Sequence, residues 1–79
     1  MSRFDKLLQR IKDMDNNLRF REIQRILEAY GYTMRPPGSG SSHCTFRRKG
    51  FPSITIPRHD PIKPIYVLMV KAVVEREDG

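Results

Sequence analysis

Gly40-Ser41-Ser42-His43-Cys44-Thr45-Phe46-Arg47-Arg48 joins a glycine-serine loop to a short alternating segment that carries one histidine and two arginines. Read as a strand, the segment sends successive side chains to opposite faces, so Cys44 and Phe46 point inward while His43, Thr45 and Arg47 share the outer face. An imidazole then stands exposed beside fixed positive charge. Imidazole takes and gives protons near neutrality, and cationic surroundings attract phosphate. The substrate class that suits such a site is RNA. A positioned base removes the ribose 2′-hydroxyl proton, or a positioned acid protonates the leaving 5′ oxygen, and such transfers are typically worth about 10²- to 10⁴-fold. Nearby guanidinium groups stabilise the charge that builds on phosphorus. Arg47 and Arg48 are the candidates by proximity, with only Arg47 on the His43 face of an unbulged strand. His59 follows Pro57-Arg58 at the end of a later strand. It is a second acid/base group, a phosphate contact or a turn cap, and the residues leave these readings open.

The charge distribution supports a polyanionic partner. The chain has 79 residues, 15 Lys and Arg against 9 Asp and Glu, and a net charge of +6. Residues 35–63 hold Arg35, Arg47, Arg48, Lys49, Arg58 and Lys63 against Asp60 alone, a net of +5. Residues 1–34 carry +2 and residues 64–79 carry −1. The positive field is thus concentrated on the segment that holds both histidines, the footprint expected where phosphates are neutralised and counterions released.

Other chemistries fit less well. Zinc needs more ligands than His43, Cys44 and His59, and alternation sends His43 and Cys44 to opposite faces. Metal-assisted hydrolysis calls for clustered carboxylates where the basic segment has only Asp60. As hydrolase nucleophiles Ser41 and Ser42 lack a carboxylate placed to orient His43 and do not resemble a nucleophile elbow, so turn chemistry explains them instead. No metal and no cofactor is implied. No apolar stretch approaches the ~20 residues of a membrane span, and no polybasic run abuts an aromatic-rich amphipathic helix. A single cysteine and no signal-peptide pattern point to the cytoplasm.

At this length the chain holds one small domain that buries roughly 60% of its unfolded surface, so chemistry must occur on a surface or in a shallow groove. The elements that position the site follow from periodicity. Phe4, Leu7, Leu8, Ile11 and Met14 recur at helical spacing after Ser2, a possible N-cap, and predict a helix over 2–14. Asp15-Asn16-Asn17 interrupts it. Phe20, Ile23, Ile26, Leu27 and Tyr30 predict a second helix stopped by Gly31. Tyr32 to Arg35 reads as a short strand, Pro36 to Gly40 as a loop, Ser42 to Arg48 as a second strand, Lys49-Gly50 as a turn, and Phe51 to Pro57 as a third strand with Ile54 and Ile56 inward. Residues 65–77 lean toward strand by propensity. An apolar stripe of Val67, Leu68, Met69, Ala72 and Val73, together with Pro64 in a first turn, favours a closing helix. Periodicity assigns Phe20, Tyr30 and Phe46 to the core rather than to base stacking, and leaves Phe51 undecided. The predicted fold is α+β with order α-α-β-β-β-α: a three-stranded antiparallel sheet with helices on one face.

Tyr30-Gly31-Tyr32, Gly40-Ser41-Ser42-His43, Ile56-Pro57-Arg58-His59 and Ile62-Lys63-Pro64, in this order around a basic hairpin, resemble the HicA toxin family over about residues 18–75. The resemblance implies a fold similar to double-stranded-RNA-binding domains, activity as a ribosome-independent mRNA interferase, and neutralisation by a HicB-type antitoxin. It further implies that His43 is the catalytic histidine of a glycine-serine-histidine motif in which Ser42 is one extra residue. Residues 1–79 then form a single domain in which the helix at 2–14 has no counterpart in short family members.

The reading that results is a toxin-type endoribonuclease that cleaves mRNA by metal-independent, histidine-assisted transesterification. His43 transfers the proton, His59 is a helper, and Arg35, Ser41, Ser42, Arg47, Arg48, Lys49, Arg58 and Lys63 hold RNA. The rivals are a non-catalytic RNA-binding module with the same basic sheet face, and an interaction protein whose basic face docks an acidic partner.

Overall fold

The computed structural model describes residues 2–35 and 42–78. The chain runs through α1 (Arg3–Lys12), α2 (Phe20–Ala29), β1 (Thr33–Arg35), β2 (His43–Arg47), β3 (Ile54–Pro57) and α3 (Pro64–Asp78). The strands make one antiparallel sheet in the order β1-β2-β3. This is the predicted α-α-β-β-β-α fold. Cys44, Phe46, Ile54 and Ile56 are buried on the inner sheet face against the helices, while His43, Arg47 and Thr55 stand exposed on the outer face. Among the described residues no helix is long and apolar enough to cross a membrane.

Ser2 caps α1 as its position suggested. Its hydroxyl accepts from the Asp5 N–H at 3.1 Å, and the Asp5 carboxylate accepts in return from the Ser2 N–H at 3.3 Å. The helix ends at Lys12, two residues short of the predicted 14, because Met14 adopts φ 56. The N–H groups of Met14 and Asp15 then close on the carbonyls of Ile11 and Arg10, which satisfies two terminal acceptors. Gly31, at φ 92, ends α2 in the same way: its N–H bonds to Glu28 and that of Tyr32 to Leu27. This closure also turns the Tyr32 ring into the core, so β1 starts at Thr33 rather than at Tyr32.

The other strands are shorter than predicted as well. β2 is His43–Arg47, without Ser42 and Arg48, and β3 begins at Ile54 rather than at Phe51. Phe51 N–H closes a turn on the Arg48 carbonyl, with Gly50 at φ 86 between them. Pro52 has no N–H to offer a ladder. The Phe51 ring lies between two guanidinium groups, 4.3 Å from Arg48 and 4.5 Å from Arg76, which settles its place against α3 and away from the outer sheet face. Phe20 and Phe46 are core residues with ring centroids 6.0 Å apart, and Tyr30 is half-buried.

Residues 65–77 are helical throughout α3, with Pro64 in the first turn. The buried stripe differs from the predicted one: it is Val67, Val70, Val73 and Val74, whereas Leu68 and Met69 face outward with Ile65. A valine-rich segment tolerates helix here because these four side chains join the core, each worth roughly 1.5–3 kcal/mol of burial. α1 supplies Leu7 and Ile11 to the same core.

Candidate functional site

The register of the sheet sets the outer face. His43 pairs with Pro57, Thr45 with Arg35 on one side and Thr55 on the other, and Arg47 with Thr33. His43, Arg35 and Arg47 therefore share one exposed surface, with the Thr45 and Thr55 hydroxyls 3.3 Å apart between them. Arg35 lies diagonally across from His43, a separation of about 7–8 Å for such neighbours. Arg47 is four residues along the same strand, about 13 Å away. The cation nearest His43 by register is thus Arg35, not Arg47.

The end of the sheet that carries His43 also gathers the segment after β3. Arg58 N–H donates to the Ser42 carbonyl at 2.7 Å, which holds Arg58 across from the exposed residue before His43. The Arg58 guanidinium lies over the Phe20 ring, 5.7 Å from its centroid. His59 is exposed, and its Nδ1 is 3.3 Å from the Pro61 carbonyl. A carbonyl only accepts, so this bond has Nδ1 carrying hydrogen and turns Nε2 to other partners. Two further bonds pin the segment to the start of α2: the Asp60 carboxylate accepts from Phe20 N–H, and the Leu18 carbonyl from Ile62 N–H, both at 2.7 Å. Lys63 is exposed one residue later, where its carbonyl accepts from the Tyr66 and Val67 N–H groups of α3.

The remaining basic residues separate from this end. Lys49 is exposed in the β2–β3 turn, at the opposite end of the sheet from His43. Arg48 does not join the His43 face. Alternation turns it to the helix side, where it forms an ion pair with Glu77 of α3 and stacks on Phe51. Its charge is countered within the fold, apart from the face that carries His43. Ser41 lies outside the described residues. Cys44 is buried behind the sheet, and among the described residues no three His, Cys, Asp or Glu side chains converge on a point that could hold a metal ion.

Asp60 escaped the sequence reading. Its cue was a deficiency: Arg19, at the N-cap position of α2, has a side chain that cannot accept a hydrogen bond, so the orphan N–H of Phe20 needs a distant acceptor. A carboxylate at a helix N-terminus also complements the dipole.

The surface brings together an exposed imidazole, a diagonal guanidinium, and a second histidine and arginine at one sheet end. Positive charge beside an imidazole is a combination suited to a polyanion. Residues 20–75 match the family model described as the HicA toxin of bacterial toxin-antitoxin systems, a match that begins at the first residue of α2 and leaves α1 outside. No curated protein and no solved structure matches the chain.

Proposed function

Because the chain belongs to the HicA toxin family, and so is the toxin of a toxin–antitoxin pair, we propose that it acts as an endoribonuclease on mRNA with His43 as the proton-transfer group. The observation that carries this reading is the position of His43: exposed on the outer face of β2, with Arg35 diagonal to it and the Arg58–His59 segment held beside it by the bond from Arg58 N–H to Ser42.

The reaction is transesterification. The ribose 2′-oxygen attacks the adjacent phosphorus as its proton passes to a base, and the bond from phosphorus to the 5′ oxygen breaks as that oxygen gains a proton. The products are a 2′,3′-cyclic phosphate and a 5′-hydroxyl, so atoms and charge balance without an external nucleophile. His43 serves one of the two proton transfers, and His59, with Nε2 turned outward, serves the other or contacts phosphate. Arg35 counters the charge that grows on the non-bridging oxygens. Arg47, Arg58, Lys49 and Lys63 attract and align the strand, with Ser42 beside it. Residues 1–79 act as one domain, and a HicB-type antitoxin neutralises it by covering the basic face.

End-group analysis of RNA incubated with the purified protein in chelator tests the proposal. Cleavage with 2′,3′-cyclic phosphate ends is the expected result. Ends bearing a 3′-hydroxyl overturn the mechanism, and bound but intact RNA leaves the protein a binding module.

A further inference from the structure

A groove of about 550 Å³ lies between α1 and α2. Arg3 and Lys6 line it from α1, Arg21 and Arg25 from α2, and Leu7 is its one apolar lining residue. Among the described residues none of these four cations is within ion-pair distance of a carboxylate. The only carboxylate in the groove is Glu22, and both its oxygens are engaged, one by the Arg10 guanidinium and the other by Arg19 N–H. Arg3 and Arg21 also sit in the first turns of their helices, where a cation opposes the helix dipole. Helix stability does not explain their presence.

The groove adjoins a second recess that lies toward the candidate active site. Arg21 lines both this groove and a neighbouring recess formed with Phe20, Arg58 and Asp60. Arg58 is in turn bonded through its N–H to Ser42, the residue before His43. A row of cations therefore leads from α1 across the N-terminus of α2 to Arg58, at the end of the sheet that carries His43. We propose that this row is a track for the phosphate backbone of single-stranded RNA, which extends the substrate site beyond the matched family region through α1. The inference rests on the reading of the chain as an RNA-cleaving toxin. An acidic peptide helix suits the groove less well, since such a helix anchors through several apolar side chains and Leu7 is a lone counterpart. A phosphate backbone needs only spaced cations.

The test compares the full-length chain with the Arg3→Gln/Lys6→Gln/Arg25→Gln variant, three exposed positions at which glutamine keeps helix propensity, with circular dichroism as the control for folding. Binding is measured across salt concentrations for RNA of about 16 nucleotides and of about 4, on the His43→Ala background so that the RNA stays intact. The variant should lose roughly 10- to 100-fold in affinity for the longer RNA at ~0.1 M salt, with a salt slope shallower by about 2, and should bind the shorter RNA as before. An unchanged slope for the longer RNA overturns the track, as does an equal loss on both lengths. Loss of affinity for the antitoxin with RNA binding intact assigns the groove to a protein and also overturns it. If RNA is bound as predicted but the protein with His43 intact leaves it uncut, the track stands and the cleavage reading fails.

Discussion

At the scale of single residues, neighbouring arginines turn to opposite sides of the sheet. Arg47 and Arg48 end the alternating segment, and only the placement of α3 reveals that Arg48 is spent inside the fold, between the Phe51 ring and Glu77. Arg35, by contrast, faces outward and diagonal to His43. Arg48→Gln should lower stability by about 1 kcal/mol, the sum of a cation–π contact and a half-exposed ion pair, and leave the turnover of bound RNA unchanged. Arg35→Gln should leave the unfolding midpoint where it is and slow turnover at saturating RNA by about 10-fold or more. Paired denaturation and single-turnover measurements check both, and a turnover loss confined to Arg48→Gln would reverse the assignment. The sequence made His43 and its face legible because alternation is a local rule. It could not reveal the fate of Arg48, which depends on a carboxylate 29 residues away.

At the scale of elements, the loop between β3 and α3 is more than a connection. Asp60 caps α2 from 40 residues away and thereby fixes Arg58 and His59 beside Ser42. Asp60→Ala should cost about 0.5–2 kcal/mol, as loss of an N-cap does, and should lower the melting temperature by roughly 4–8 °C per kcal/mol lost. Amide exchange at Phe20 should quicken in the same variant, and unaltered exchange there would remove Asp60 from this role. Helix and strand order, and the helical state of residues 65–77, follow from periodicity and from Pro64 and Gly31. The strand ends do not. Tyr32 and Phe51 carry strand propensity, yet tertiary contacts draw both out of the ladder, one into the core and one between two guanidiniums.

At the scale of the whole molecule, α1 is integral to the fold although the family match begins after it. Arg10 ties it down, bonding Asp15 in the following turn and Glu22 on α2. The Arg10 hydrogen bond, helped by the Asn17 N–H, holds the Asp15 carboxyl below its ordinary value of 3.8. A carboxyl so depressed stabilises the folded state above its unfolded pKa, and that contribution is lost as the pH falls through the folded value. Wild type should therefore lose more stability than Asp15→Asn between about pH 5 and pH 2, as followed by urea denaturation. Parallel curves for the two proteins would contradict the linkage. The same three-helix scaffold holds the basic sheet face outward, and the proposed role of His43 on this face is to move a proton during RNA cleavage. The most direct test is the single-turnover cleavage rate of wild type and His43→Ala, measured at RNA concentrations that saturate both. A fall of about 10²-fold or more with unchanged RNA affinity and unchanged unfolding midpoint is the predicted result, and equal rates for the two proteins would contradict the claim.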